Sequence, residues 1–201
     1  MKRMAWLASL LLLVAPVSLA HAAAIVGQRA PSFELRDADG KAVKLDSFRG
    51  KYVVLEWTNF GCPFVGKQYG SGNMQSLQKK YTEKGVVWLT ICSSAKGKQG
   101  YLDGAGAKAS MKEHDAAPSR FLLDPKGSVG KSYGAKTTPH MFVIDPKGTL
   151  VYNGAIDDKP STNKDDVPTA KNYVAAALDE SMAGEKIATS ATQPYGCSVK
   201  Y

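Results

Sequence analysis

The amino-acid sequence predicts an α/β fold, a three-layer sandwich in which helices cover both faces of a mixed central sheet. Two observations lead to this prediction. Short buried-strand patterns alternate with helical patterns through most of the chain, and two strands joined by a tight turn come late in the sequence. Because parallel strands need long crossovers and antiparallel strands need only turns, this order indicates a sheet with both kinds of pairing.

The first residues have the pattern of a secretory signal. Basic residues at positions 2 and 3 precede an apolar run that leads to Ala20-His21-Ala22, a triplet typical of a signal-peptidase site. The apolar run is shorter than the roughly 20 residues that span a bilayer. Residues 1–22 are therefore predicted to be a cleaved signal peptide that takes the protein across the inner membrane to the periplasm, without a stable membrane anchor.

The remaining 201 − 22 = 179 residues are enough for one domain with a core of its own. We expect residues 23–184 to form this domain and residues 185–201 to form an irregular tail that carries Cys197. Loss of Lys2 and Arg3 lowers the formal net charge from +8 to +6. The lysines are scattered and no nucleic-acid motif accompanies them, so no nucleic-acid partner is expected, whereas an acidic protein partner stays open.

The domain begins with a predicted β-hairpin, in which two short alternating segments flank Asp39-Gly40. Residues 52–57 are almost continuously apolar, which predicts a strand buried on both faces. Pro63 suits the first position of a helix, and the glycines that follow it predict a break before a second helix from about Asn73.

The rest of the domain is predicted from the same patterns of periodicity and turn residues. In order, it contains a strand at 86–91 that leads to Cys92, a helix near 107–114, a strand at 121–123, an antiparallel strand pair at 141–144 and 150–152, a polar loop at 157–168 and a closing helix at about 168–182.

The three cysteines, Cys62, Cys92 and Cys197, would enter an oxidising compartment. At most one internal disulfide can form at a time, which favours redox chemistry over a disulfide-stapled scaffold. Cys62 stands between a strand and a helix, where N–H groups and the positive end of the helix dipole stabilise a thiolate. We therefore predict that Cys62 is a nucleophile with a lowered pKa, open to solvent at the edge of the sheet.

Three stretches carry a resemblance to a known family: GQRAPSFELRDADGKAVKLDSFRGKYVVLEW, the strand-Cys-Pro-helix junction at Cys62, and TTPHMFVIDPKGTLVYNG. Over roughly residues 25 to 184 the chain resembles the thioredoxin-like redoxins, the group that includes alkyl hydroperoxide reductases and thiol-specific antioxidant proteins. The resemblance implies a thioredoxin-like fold with an N-terminal β-hairpin extension. It also implies a cis peptide bond between Thr138 and Pro139 that faces Cys62.

Further roles follow from the same resemblance. Glu56, six residues before Cys62, matches the position of a buried aspartate in thioredoxins and is expected to transfer protons, with a salt bridge to a lysine as the alternative interpretation. Thr138 and Pro139 are expected to offer backbone to an extended substrate chain, and Pro63 is expected to border the same substrate.

The chain departs from the family pattern at three positions. Val65 replaces the second cysteine of the thioredoxin pair, and Leu55 and Asn59 replace the proline and threonine that precede the reactive cysteine of typical peroxiredoxins. A partner thiol for Cys62 must therefore lie outside the motif. Cys197 is the favoured resolving cysteine, with Cys92 or an intermolecular or external thiol as alternatives.

The resulting prediction is an exported thiol–disulfide oxidoreductase or antioxidant protein without cofactor or bound metal. Its partners would be a disulfide- or thiol-containing protein, or peroxide, and an external thiol as reductant. One alternative is a peroxiredoxin-like thiol peroxidase. Another is a binding module in which Cys62, His140 and Cys197 hold copper or assist haem-protein maturation, since thiolate and imidazole are suitable ligands.

Overall fold

The structure, a computed structural model, describes residues 24–201, so the predicted signal peptide at residues 1–22 lies outside the described residues. The strands are β1 (Glu34–Asp37), β2 (Ala42–Lys44), β3 (Val53–Trp57), β4 (Val87–Cys92), β5 (Arg120–Leu123), β6 (Thr137–Thr138), β7 (His140–Ile144), β8 (Leu150–Gly154) and β9 (Cys197–Ser198). The helices are α1 (Pro63–Gly70), α2 (Asn73–Glu83), α3 (Gly104–Glu113), α4 (Ser128–Tyr133) and α5 (Tyr173–Met182), with 3-10 helices at Leu45–Phe48 and Lys164–Thr169.

Seven strands form one mixed sheet in the order β2-β1-β5-β4-β3-β7-β8, while β6 and β9 form a separate two-stranded ladder. Strands β3, β4 and β5 are parallel, and β7 is antiparallel to both β3 and β8. The predicted mixed sheet is therefore confirmed. The predicted hairpin is β1 and β2, and β1 also pairs with β5, so the hairpin extends the central sheet.

The central strands send alternate side chains to opposite faces of the sheet, and both faces are covered. On one face Leu55 and Trp57 pack in a cluster that includes Tyr133 of α4. On the other face Val54 packs in a cluster with residues of α1, α2 and α5. The sheet is thus the middle layer of three, as predicted.

Two helices differ from the prediction. Helix α4 was not predicted, because its six residues, SVGKSY, are too few to show a helical period. The closing helix begins at Tyr173 and not near residue 168, because the side chain of Asn172 accepts a hydrogen bond from the N–H of Ala175 at 2.9 Å and caps the helix there. Pro168 lies in the 3-10 helix before it.

The tail, residues 185–201, returns to the domain. The N–H of Asn153 on the edge strand β8 donates to the carbonyl of Ser190, and the N–H of Thr192 donates to the carbonyl of Asn153. Farther along, β9 pairs with β6, and the N–H of Ala95 donates to the carbonyl of Lys200 at 2.8 Å. The tail is irregular apart from β9 and a single bridge at Ala191, as expected, and it packs on the domain. None of the helices between residues 24 and 201 is long and apolar enough to cross a membrane.

Candidate functional site

Cys62 lies at the junction between β3 and α1, as predicted. The turn before it is held by Asn59, whose side chain accepts from the N–H of Gly61 and whose carbonyl accepts from the N–H of Cys62, both at 2.9 Å. Cys62 is the N-cap residue of α1 in an extended conformation, and Pro63 occupies the first turn. This places the sulfur at the positive end of the helix dipole.

The loop of Thr138 and Pro139 packs against Cys62. The peptide bond between these two residues is cis, as the resemblance implied. The Sγ of Cys62 donates a hydrogen bond to the carbonyl of Thr138 at 3.1 Å. Within residues 24–201 the buried Oγ1 of Thr138 has no hydrogen-bond partner, so this hydroxyl is free to donate to an ionised sulfur.

Cys197, which belongs to the tail, lies next to Cys62 and Thr138. Strand β9 runs antiparallel to β6, with Cys197 directly opposite Thr138. Cys197 packs against the cluster that contains Cys62, each of these two thiols shifts the pKa of the other, and all three cysteines are free thiols. The structure thus brings together Cys62, Thr138, Pro139 and Cys197, although their roles stay predictions.

The surroundings of Cys62 lower the pKa of its thiol. Burial is the largest single influence and raises the pKa of Cys62. Hydrogen bonds that the ionised sulfur can accept, from Cys197, the Thr138 hydroxyl and the backbone N–H of Val65, together outweigh burial, so the pKa lies below the ordinary 9.0. Burial and the neighbouring Cys62 raise the pKa of Cys197 to about 11. Of these two thiols, Cys62 is therefore the first to ionise as the pH rises.

We expect a titration of thiolate absorbance to assign the first ionisation of this pair to Cys62, at a pH below 9.0. Cys197→Ala removes one hydrogen-bond donor from the sulfur, so the pKa of Cys62 should rise in this variant. Cys92→Ser serves as the control and should leave the pKa of Cys62 unchanged. An identical midpoint for Cys62 with and without the thiol of Cys197 would contradict this account.

Cys62 is buried, so the prediction of a sulfur open to solvent is wrong. The residue is 1% exposed, and it packs in one cluster with Val65, Tyr195 and Cys197. The physical reason is the tail, which lies over the sheet edge that the prediction had left uncovered. Any large partner of Cys62 must therefore meet the tail first.

Cys92 lies in a different part of the domain. It ends β4, packs against Ala107 of α3 and Phe121 of β5, and donates from Sγ to the carbonyl of Gly100 at 3.3 Å. Burial raises the pKa of its thiol. Because Cys92 belongs to a separate cluster from Cys62, the structure does not support it as the partner thiol.

Glu56 is fully buried on the face of the sheet that α1 and α2 cover. Its carboxylate accepts four hydrogen bonds, from Tyr69 Oη at 2.8 Å, Gln78 Nε2 at 3.1 Å, Trp88 Nε1 at 2.8 Å and Thr90 Oγ1 at 2.9 Å. Burial raises the pKa of Glu56, and the hydrogen bonds oppose this shift. The alternative of a salt bridge to a lysine is wrong, since Glu56 forms no ion pair within the described part of the chain.

The sequence did not predict a buried ion pair that lies near Cys62, on helix α1 and the loop after β8. Lys67 of α1 and Asp157 are almost fully buried, with Nζ 3.6 Å from Oδ2. Gln68 Nε2 also donates to Asp157 Oδ2 at 2.7 Å, and Tyr195 Oη of the tail donates to Oδ1 at 2.5 Å. The sequence placed Asp157 in a polar loop, and no local pattern signals its burial because its partners are distant in the chain.

His140 is held by hydrogen bonds on both ring nitrogens. Nδ1 accepts from the N–H of Lys136 at 3.2 Å, so Nε2 carries the proton and donates to Oδ1 of Asn153 at 2.8 Å. Burial lowers the pKa of this imidazole to about 4. No group of three or more His, Cys, Asp or Glu side chains suited to a metal ion occurs from residue 24 onward. The structure therefore does not support a copper site formed by Cys62, His140 and Cys197.

Comparison with known proteins places this geometry in context. The model of the AhpC/TSA family matches residues 26–153, more than half of the chain. Two curated relatives are the thiol-disulfide oxidoreductases ResA of Bacillus thuringiensis and Bacillus cereus, each 29% identical over 109 residues, which make up 54% of this chain and 57% of the relative. The chain thus spans little more than half the length of these relatives.

Solved structures share the fold. An uncharacterized conserved protein from Geobacillus kaustophilus superposes with a TM-score of 0.75 at 26% identity, covering 89% of this chain and 93% of that one. A hypothetical protein from Sinorhizobium meliloti gives 0.73 at 26% identity, covering 88% and 94%. The thioredoxin domain of an oxidoreductase from Bacteroides vulgatus gives 0.52 at 21% identity, covering 72% and 96%. The predicted thioredoxin-like fold is confirmed.

Proposed function

Because the chain belongs to the AhpC/TSA family, we propose that it is a thiol–disulfide oxidoreductase in which Cys62 attacks a disulfide and Cys197 resolves the product. The observation that carries this proposal is the pairing of Cys197 with Thr138, beside the sulfur of Cys62. The ResA relatives are named as thiol-disulfide oxidoreductases, which supports the same class of reaction.

The proposed reaction consists of two exchanges. The thiolate of Cys62 attacks one sulfur of a protein disulfide, so that a bond forms between Cys62 and that sulfur while the other sulfur leaves as a thiolate and takes up a proton. Cys197 then loses its proton, attacks the sulfur of Cys62 and releases the second substrate cysteine as a thiol. Two electrons have passed to the substrate, and an external thiol reduces the new disulfide between Cys62 and Cys197.

The other predicted site residues have supporting parts in this proposal. Thr138 supplies a hydroxyl to the thiolate and, with Pro139, a backbone edge for the substrate, while Pro63 begins the helix that Cys62 caps. None of the hydrogen bonds of Glu56 reaches Cys62. We therefore propose Glu56 as a positioning residue, which acts through Tyr69 on helix α1.

Peroxide reduction is the second candidate, and the closed site favours it, because a cysteine that is 1% exposed admits a small oxidant more easily than a protein. In this reaction Cys62 takes one oxygen from the peroxide and becomes a sulfenic acid, and the remaining fragment leaves as water or an alcohol. Condensation with Cys197 then releases water and forms the same disulfide. Leu55 and Asn59, in place of the usual proline and threonine, weigh against this candidate.

Two assays test the proposal, with dithiothreitol as the reductant in both. They measure the reduction of insulin disulfides and the turnover of hydrogen peroxide side by side. We expect the native protein to accelerate insulin reduction and Cys197→Ser to accumulate a mixed disulfide at Cys62. Peptide mapping of the oxidised native protein without reduction should find Cys62 bonded to Cys197. Peroxide turnover without insulin reduction would identify a peroxidase. Neither activity, with both cysteines free after oxidation, would overturn both candidates.

We also propose that the protein is exported and works in the periplasm on protein disulfides. The support is the signal pattern at residues 1–22 and the fit between dithiol chemistry and an oxidising compartment. The mass of the protein recovered from the producing cells should lack residues 1–22. A cytosolic protein with an intact N-terminus would contradict export.

A further inference from the structure

We propose that the tail occupies a peptide-docking edge as an internal stand-in for the substrate, and that the preferred partner carries the same features as the tail. This partner is an extended protein segment with an aromatic residue two positions, and a glycine one position, before a disulfide-bonded cysteine. The inference rests on the proposed function and names its substrate class.

The backbone part of this edge is strand β6. Ser198 lies opposite Thr137, and Cys197 lies opposite Thr138, in an antiparallel ladder that no strand of the seven-stranded sheet joins. Without the tail, the backbone groups of β6 would be open to another extended chain. A cysteine opposite Thr138 is thereby presented to the sulfur of Cys62, which contacts the Thr138 carbonyl.

The position before the cysteine accepts only glycine. Gly196 has a φ of +138°, which side chains rarely allow, and a Cβ at this position would collide with the carbonyl oxygen of Thr138. A partner that pairs with β6 in the same register meets the same carbonyl. The edge therefore selects for glycine directly before the cysteine.

The position two residues before the cysteine fits an aromatic ring. Tyr195 donates to Asp157 Oδ1 at 2.5 Å, its ring centroid lies 5.8 Å from that of Phe64, and Lys67 Nζ lies 5.7 Å from its ring centroid. Asp157 keeps its contacts with Lys67 and Gln68 when the tyrosine leaves, so the carboxylate stays in place to receive another phenol. The pocket is thus built by the domain and not by the tail.

The tail and a protein substrate compete for this edge. With the tail in place Cys62 is 1% exposed, so a protein disulfide reaches the sulfur only after the tail has moved away. Substrate docking therefore displaces Cys197, and the return of the tail brings Cys197 back to the mixed disulfide and expels the substrate cysteine as a thiol. The residues that the family model matches end at 153, before the tail begins.

The test uses the full chain with Cys197→Ser, in which the tail keeps its place but does not resolve a mixed disulfide. The probe is a blocked peptide, Gln-Pro-Tyr-Gly-Cys-Ser-Val, whose cysteine carries a 2-thiopyridyl group, and matched peptides have alanine in place of tyrosine or glycine. Attack by Cys62 joins the peptide to the protein and releases 2-thiopyridone, whose absorbance gives the rate. We expect the Tyr-Gly peptide to react about tenfold faster than either alanine peptide, equivalent to about 1.4 kcal/mol.

Variants of the tail test the competition in the same full chain. Tyr195→Ala removes the aromatic contact and Gly196→Ala introduces the collision with Thr138, so each should raise the rate with the Tyr-Gly peptide about tenfold. Gln193→Ala changes an exposed residue of the tail and should have no effect. A thermal unfolding transition for each variant verifies that it is folded.

The outcomes separate this inference from the proposed function. Equal rates for the three peptides would overturn the substrate class, and unchanged rates in both Tyr195→Ala and Gly196→Ala would overturn the role of the tail. The small disulfide 2,2′-dipyridyl disulfide has no peptide to dock. If Cys62 failed to react with it in every variant, the proposed function itself would be wrong.

Discussion

Cys62→Ser is expected to abolish disulfide reduction, with a fall in turnover of about a thousandfold or more. The thiolate is the nucleophile in exchange, whereas a serine hydroxyl stays protonated and forms no bond to sulfur under the same conditions. The measurement is insulin reduction with dithiothreitol, corrected for the rate without protein. Cys197 is not expected to replace Cys62, because burial still raises the pKa of the Cys197 thiol in this variant.

Cys92→Ser is the matched control for this substitution. Cys92 is buried to the same degree as Cys62, and a serine in its place can still donate to the carbonyl of Gly100. Turnover should be retained, since Cys92 packs in another cluster. Activity that survives in Cys62→Ser, or that is lost equally in both variants, would remove Cys62 from its proposed role.

Glu56→Ala is expected to lower the free energy of unfolding by about 4 kcal/mol, because it leaves buried donors without an acceptor. The indole N–H of Trp88 is a donor only. The amide of Gln78 is held in its orientation because its oxygen accepts from the N–H of Ala117 at 2.8 Å. A loss of this size is a large part of the stability of an ordinary domain, so chemical denaturation should detect it readily.

Glu56→Gln is the conservative counterpart and should cost about 1 kcal/mol or less. Three donors, from Gln78, Trp88 and Thr90, converge on Oε2, and only the hydroxyl of Tyr69 faces Oε1. A glutamine can keep its side-chain oxygen at the place of Oε2, where it accepts from these three donors. Its amide N–H group then takes the place of Oε1 and donates to the Tyr69 hydroxyl. A large loss of stability in Glu56→Gln would mean that the charge of the carboxylate is needed.

The two Glu56 variants also differ from the native protein in how stability depends on pH. The pKa of Glu56 in the folded protein is raised above 4.5, so between the unfolded and the folded pKa the folded state binds the proton that the unfolded state has lost. The contribution of Glu56 to the free energy of unfolding is therefore greatest below pH 4.5. This contribution falls as the pH rises through the pKa of Glu56 in the folded protein. Glu56→Gln should remove this slope, and a native protein without it would contradict the raised pKa.

Much of the fold was predictable because its signals are local. The buried strand before Cys62, the proline after it, and the turn residues between β7 and β8 each lie within a few positions of the element that they define. The position of Cys62 at the N-terminus of α1 followed directly from this pattern. The cis bond before Pro139 was expected from the family resemblance alone.

By itself, the sequence determined the order of strands and helices, the strand-to-helix junction at Cys62 and the set of three cysteines. Only the tertiary structure decided that Cys62 is covered, that Cys197 lies opposite Thr138, and that Asp157 is buried. These features depend on contacts between distant residues, such as Cys62 with Thr138, 76 positions apart, and Gln68 with Asp157, 89 positions apart. Local periodicity carries no information about such pairs, because their stability comes from burial and hydrogen bonds that exist only when the chain is folded.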